Sequence, residues 1–240
     1  MDYPVYGKAV AHAVADGSCE KGIVICSTGI GISIAANKVP GIRCALCGDC
    51  FSARATRQHN DVNVSAISFG TGIVRTMGRL TQKPLDVHLM VENPLPFIPE
   101  LAEEKVERVS VHYEIPGGPE KALRAIREAG MQAGLVLNPE TPNGAAKQYL
   151  HGLDRILLMT VCPGRGGQTY LEGSNQKIAG LRSLLDRVGS RAVIQIDGGV
   201  TPQNLPEAYA AGARSVVAGS AVFGGTVQSG VAYLRRSCAF

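Results

Sequence analysis

Residues able to move protons or hold anions fall directly after short apolar runs in this sequence. Ile23-Val24-Ile25-Cys26 leads into Ser27-Thr28-Gly29-Ile30-Gly31, and Ser33 to Asn37 continue as a helical stretch. A cysteine at a strand end beside a helix N-terminus sits in a field that favours the thiolate, and a thiolate is a general base. The same placement suits a buried structural thiol beside a tight turn. Asp197 precedes Gly198-Gly199, and reads either as a turn residue or as an acid/base group at a strand end. His88 lies in Pro84–Val91, an otherwise apolar run, and reads either as a core histidine or as a metal ligand at a strand end. Glycine-rich words recur at Gly164-Arg165-Gly166-Gly167 and Gly219-Ser220; backbone N–H groups in such loops can cradle a phosphate. Ser110, His112 and Glu114 alternate along one strand face, with His112 read as a pocket wall. Met90 and Met159 read as pocket lining or core.

These groups need elements to hold them. The strand candidates are Gly22–Cys26, Arg43–Cys47, Val64–Ile67, Leu85–Val91, Arg108–Tyr113, Ala133–Asn138, Arg155–Val161, Ala192–Asp197 and Ser215–Ala218. Helical stretches such as Glu120–Glu128 and Asn175–Val188 lie between them. Strands alternating with helices imply an α/β fold with a mostly parallel sheet, whose ligands gather at the carboxyl ends of the strands. The residues just past the strands are glycine-rich or polar at nearly every end.

Composition narrows the chemistry further. Apolar residues make up 45% and charged residues 18% of the 240, which excludes a disordered chain. The net charge of +4 is scattered without basic runs, so small anions suit it better than nucleic acid. Aromatics at 5%, with no Trp, argue against a base-stacking surface. No apolar stretch of about 18 residues predicts a membrane span, and Met1-Asp2-Tyr3-Pro4 does not open as a signal peptide. Seven cysteines, an odd count, suit free thiols in a reducing, cytoplasmic setting. Cys44, Cys47 and Cys50 form a C-x2-C-x2-C run, but position 54 is Arg where an iron–sulfur pattern would place a fourth cysteine; metal binding there is not expected.

Asp2-Tyr3-Pro4, Ile25–Gly31, Ile34–Arg43, Ser52-Ala53-Arg54 and His59-Asn60-Asp61 together resemble the B-type ribose-5-phosphate isomerases. The resemblance implies a proton-abstracting base at Cys26, an enediolate-holding loop at Ser27, Thr28, Gly29, Ile30 and Gly31, ring opening by His59 and a substrate contact at Asn60. Ser27 stands where that family usually has Gly. The family's first strand, with an Asp-His pair, and its last, Arg-bearing helix are not matched.

From residue 65 the words change. Ile67-Ser68-Phe69-Gly70, Pro84–Val91, Leu137-Asn138-Pro139, Met159-Thr160-Val161, Pro163-Gly164, Gly166-Gly167-Gln168, Asp197-Gly198-Gly199-Val200 and Ala218-Gly219-Ser220-Ala221 resemble ribulose-phosphate 3-epimerase, a (β/α)8 TIM-barrel enzyme. Inverting a carbon beside a ketone needs two acid/base groups on opposite sides of an enediolate, which a divalent metal can stabilise. The resemblance implies that Asp197 is one acid/base and a metal ligand, that His88 is a ligand at the substrate site, and that zinc is the ion. Gly164, Gly166, Gly167, Gly198, Gly199, Gly219 and Ser220 would hold the phosphate, with Arg165 as a charge contact. Arg165 replaces a usual aromatic residue, and Cys162 a usual Asn. The family's first two strands, which carry a Ser and a His-x-Asp pair with two further ligands, are not matched.

Residues 1–64 therefore read as an isomerase-like fragment and 65–240 as an epimerase-like barrel portion. The first fragment is expected to complete the barrel, with Arg43–Cys47 and Val64–Ile67 in place of the missing strands. Ribulose 5-phosphate epimerisation, at reduced rate, is the leading expectation. Aldose–ketose isomerisation through Cys26 and non-catalytic phosphate binding are the alternatives. A phosphorylated pentose is the expected partner, with no nucleic acid or membrane, in a homo-oligomer.

Overall fold

Parallel pairing sorts nine strands into two sheets. The computed structural model describes residues 3–26, 29–47, 50–68, 70–104, 106–163 and 168–238. In chain order the elements are α1 (Tyr3–Ala15), β1 (Gly22–Cys26), α2 (Ile30–Asn37), β2 (Cys44–Cys47), α3 (Cys50–Asn60), β3 (Val64–Ser68) and α4 (Thr71–Leu80). Then follow β4 (Asp86–Leu89), α5 (Ile98–Glu103), β5 (Arg108–His112), α6 (Glu120–Glu128), β6 (Gln132–Leu137), β7 (Arg155–Met159) and α7 (Ser174–Arg187). The chain ends with β8 (Val193–Asp197), α8 (Leu205–Ala211), β9 (Ser215–Val217), α9 (Ser220–Phe223) and α10 (Val227–Ser237). Every expected strand is present, most trimmed or shifted by a residue or more. The chain separates into two compact units, Met1–Lys83 and Pro84–Phe240.

The first unit holds a three-stranded sheet in the order β1-β3-β2. One face is closed by its own helices: Val24 and Val64 pack with Ala11 of α1 and with Ile32 and Ala36 of α2, and Val39 and Ile42 complete the cluster. Asn37 ties α2 to β2, donating from Nδ2 to the Cys44 carbonyl and accepting from the Cys44 amide, both at 2.8 Å.

This arrangement corrects the expectation that Arg43–Cys47 and Val64–Ile67 stand in for two barrel strands. They are β2 and β3, and β3 is already flanked on both edges, by β1 and β2. Parallel strands with a crossover helix and an apolar face of their own can form a sheet by themselves. The sequence set the junction near Val64–Ile67; the compact units part later, after α4.

The second unit holds six parallel strands in the order β4-β5-β6-β7-β8-β9. One face is aliphatic: Val109, Val111, Ala133, Leu135, Leu137, Ile156, Leu158, Ile194 and Ile196 are all within 1% of fully buried. Helices α6 and α7 contribute Leu123 and Ile126, and Ile178, Leu181 and Leu185, to the core, at the three- and four-residue spacing of a helix face. Burying each Leu or Ile contributes about 1.5–3 kcal/mol.

The other face is polar and curls on itself. Asp86 of β4 accepts hydrogen bonds from Arg155 of β7 and, at 3.1 Å, from Gln195 of β8. In a flat sheet with strands roughly 4.8 Å apart, β4 and β8 would stand about 19 Å from one another. Side chains that touch across that gap require the sheet to roll up as part of a barrel does. Gly134 permits the tight roll at β6: a Cβ there would sit 2.1 Å from Ser110 Oγ and 2.8 Å from Arg155 Cγ.

Candidate active site

Two residues along from this polar floor, on the same concave face, the strands present His88, His112, Leu157, Met159 and Asp197. Strand register fixes the set: His88 lies opposite Ser110, His112 opposite Val136, and Met159 opposite Asp197. Val136, Leu157, Met159 and Val161 form an apolar cluster behind the polar groups. His88 Nδ1 lies 3.8 Å from Asp197 Oδ2, with side chains 14% and 24% exposed. The sheet thus converges the two groups that the sequence marked as ligand and acid/base.

His88 Nε2 is 2.8 Å from His112 Nε2, and the rings stack at 4.9 Å between centroids. His112 Nδ1 lies 3.2 Å from Glu114 Oε2. Glu114 Oε1 accepts from the Asn138 amide at 3.0 Å and from the Thr141 hydroxyl. Burial holds His112 below the usual imidazole range, the neighbouring His88 adds to this, and Glu114 only partly offsets it. Partial burial pushes the Glu114 carboxyl up, but the Thr141 and Asn138 hydrogen bonds outweigh it and hold the group below the usual carboxylate range. The sequence left His112 as a wall. Its alternate spacing with Glu114 was the available signal, and the partnership with His88, twenty-four residues away in the chain, was not legible.

The loop after β8 is built for glycine. Gly199 has φ +64°, and a Cβ there would lie 2.3 Å from the Tyr170 amide nitrogen. Thr160 Oγ1 donates to the Asp197 and Gly198 carbonyls at 2.9 and 2.6 Å, pinning this loop under Asp197. Because Asp197 pairs with Val217 of β9, Gly198-Gly199 and Gly219-Ser220 follow the ends of adjacent strands. Gly164, Arg165, Gly166 and Gly167 lie outside the described residues.

In the first unit, Cys26 ends β1 and packs partly against the α1–α2 core cluster. Gly29, at φ 66°, precedes α2, and Ile30 and Gly31 belong to the first turn of that helix rather than to the expected loop. His59 and Asn60 end α3 and are exposed. Ser27 and Thr28 lie outside the described residues. Cys44 packs against the core cluster, while Cys47 contacts Thr56 across 3.9 Å. The two are three residues apart on a strand and therefore on opposite faces, so they do not converge on one ion.

Among the described residues no group of three or more His, Cys, Asp and Glu is placed to hold a metal. His88 and Asp197 fit as a two-donor set: His88 Nδ1 is buried without a hydrogen-bond partner and faces a carboxylate oxygen at a separation one cation can bridge with bonds of about 2.0–2.2 Å. No helix among the described residues is long and apolar enough to cross a membrane.

Comparison with known proteins finds two families, whose matches overlap between residues 51 and 83. Residues 1–83 match the Ribose/Galactose Isomerase family, and residues 51–223 match the Ribulose-phosphate 3 epimerase family. The chain is 40% identical over 162 residues to the ribulose-phosphate 3-epimerase of Bacillus subtilis, covering 67% of this chain and 75% of that one. It is 38% identical over 161 residues to that of Aquifex aeolicus, covering 67% and 72%. A solved ribose-5-phosphate isomerase B from Clostridium thermocellum is 58% identical over 29% of this chain and 47% of its own, with a TM-score of 0.28; this chain spans less than half of that isomerase. With the epimerase match running through both His88 and Asp197, the chain belongs to the ribulose-phosphate 3-epimerase family and carries isomerase-like sequence ahead of its curled sheet.

Proposed function

We propose that this protein exchanges the C3 proton of ribulose 5-phosphate, interconverting it with xylulose 5-phosphate, at the concave face of the six-stranded sheet. The observation that carries this reading is the convergence of His88 Nδ1, buried and unpartnered, on Asp197 Oδ2 at 3.8 Å. Asp197, at the carboxyl end of β8, takes the proton from C3 at its carboxylate. His88 and Asp197 would hold a divalent cation, zinc by family, whose chemistry when bound is Lewis-acid stabilisation of enediolate oxygens. Gly198-Gly199 and Gly219-Ser220 orient the phosphate through backbone amides; by resemblance to the family, Gly164, Arg165, Gly166 and Gly167 would also contribute to phosphate binding. Met159 and its apolar neighbours exclude water from one side of the reacting carbon.

Turnover is expected below the ordinary range of about 1–1,000 per second, because inversion needs a second acid/base on the far side of the substrate plane. The isomerase-like segment supports a second reading, in which Cys26 abstracts a proton from C1 or C2 and His59, Asn60 and residues Ser27–Gly31 serve the sugar. Proton NMR of ribulose 5-phosphate in heavy water, with and without zinc, separates the two. Deuterium at C3 with xylulose 5-phosphate appearing supports the epimerase reading. Exchange at C1 with ribose 5-phosphate appearing, abolished by Cys26→Ala, supports the isomerase reading. No exchange at either carbon overturns both and leaves a phosphate-binding protein.

A further inference from the structure

The hydrogen-bond chain behind His88 runs in one direction, and the direction follows from its anchored end. Glu114 Oε1 is occupied by two donors, the Asn138 amide and the Thr141 hydroxyl. Its other oxygen, Oε2, faces His112 Nδ1. An ionised carboxylate only accepts, so His112 carries its proton on Nδ1 and offers a lone pair at Nε2. That lone pair faces His88 Nε2 at 2.8 Å, so His88 must carry its proton on Nε2. His88 Nδ1 is then an unprotonated lone pair, buried, unpartnered and aimed toward Asp197 Oδ2. Two lone pairs facing one another have nothing to share unless a cation stands between them.

We propose that Glu114 and His112 are positioning residues that set the tautomer of His88, fixing Nδ1 as the atom available to a cation. The inference rests on the reading that His88 and Asp197 hold a cation, and adds how the chain prepares His88 for it. Outer groups that fix a ligand's tautomer and orientation typically contribute 10–100-fold to metal affinity.

Glu114→Gln tests this because it reverses the chain at nearly constant shape. The amide oxygen is retained at the Oε1 position by the Asn138 and Thr141 donors, so the new NH2 faces His112 Nδ1. That nitrogen must then accept, His112 Nε2 must donate, His88 Nε2 must accept, and the proton moves to His88 Nδ1. Long-range ¹⁵N–¹H spectra of the metal-free protein report each tautomer directly, with His88 assigned by its loss in His88→Gln. Wild type is expected to show His88 protonated on Nε2, and Glu114→Gln to show it protonated on Nδ1, with zinc affinity at least 10-fold weaker by calorimetry. Glu114→Asp, which restores an acceptor, is expected to recover the wild-type tautomer.

His88 protonated on Nδ1 in the metal-free wild type would overturn the proposal, without recourse to any variant. So would a Glu114→Gln protein, folded by circular dichroism, that keeps both the wild-type tautomer and the wild-type zinc affinity. The expected tautomers in a protein that binds no zinc would uphold the relay and remove the cation from the proposed function.

Discussion

Asp86→Ala should cost the second unit about 2–3 kcal/mol. The Asp86 carboxylate accepts from Arg155 and Gln195 across the concave face, and the Arg155 side chain is only 9% exposed. After truncation the guanidinium keeps Gln195 Oε1 at 3.1 Å, while its Nε has no partner already. Removing one member of a buried pair typically costs about 3–5 kcal/mol, mostly the penalty of the stranded charge. Asp86 is 32% exposed, so water reaches the gap and brings the loss just below that range, to about 2–3 kcal/mol. For a unit of this size, the loss lowers Tm by roughly 5–10 °C. The informative comparison is Asp86→Ala/Arg155→Met, which removes both charges and should be more stable than Asp86→Ala by at least about 1 kcal/mol. The assay is urea denaturation by far-UV circular dichroism, with hydrogen exchange in peptides covering β4 and β7 to place the loss, since the two units need not unfold together. A single-variant loss under about 1 kcal/mol, or a double variant no better than the single, would refute the reasoning.

Gly199→Ala places a Cβ 2.3 Å from the Tyr170 amide in a left-handed conformation; a loss above about 2 kcal/mol is expected from strain and clash together, read as a lower urea midpoint. Burial and the nearby Glu207 carboxylate push the Tyr170 phenol up to about 12. Because the neutral form is favoured in the fold, this stability is full below pH 10 and is lost as pH rises through about 12. Alkaline titration at the phenolate absorbance band should show one tyrosine lagging the others, and Tyr170→Phe should remove that late component without changing the rest.

The strands were legible because nearly every one is a β-branched run bounded by glycine or a polar turn, and those signals are local. Asp197 and His88 were legible for the same reason, since each stands at or near a strand end where α/β folds collect ligands. What the sequence could not carry was partnership at a distance. The link from His88 to His112 and the link from Asp86 to Arg155 and Gln195 exist only because the sheet rolls, and the roll is a property of six strands together. The placing of β2 and β3 failed for a related reason. Strand pattern gives an apolar face and a direction but not a partner, and β3 finds its partners in β1 and β2 of its own unit.

The concave face stacks two polar layers with opposite demands. In the floor, opposite charges and an amide meet: Asp86 is met by Arg155 and Gln195. Two residues along the strands, the upper layer leaves His88 Nδ1 facing Asp197 Oδ2 at 3.8 Å, with His112 between His88 and Glu114. Its groups are held by one another along the His88–His112–Glu114 chain and by the Thr160 and Thr141 hydroxyls, leaving His88 Nδ1 without a hydrogen-bond partner. That asymmetry separates the two layers: the floor's charges are met within the protein, whereas the upper layer leaves a buried nitrogen facing a carboxylate oxygen at 3.8 Å. If the proposed cation binds at the carboxyl ends of β4 and β8, its affinity should follow the direction of a single imidazole proton, and the Glu114→Gln comparison reads both.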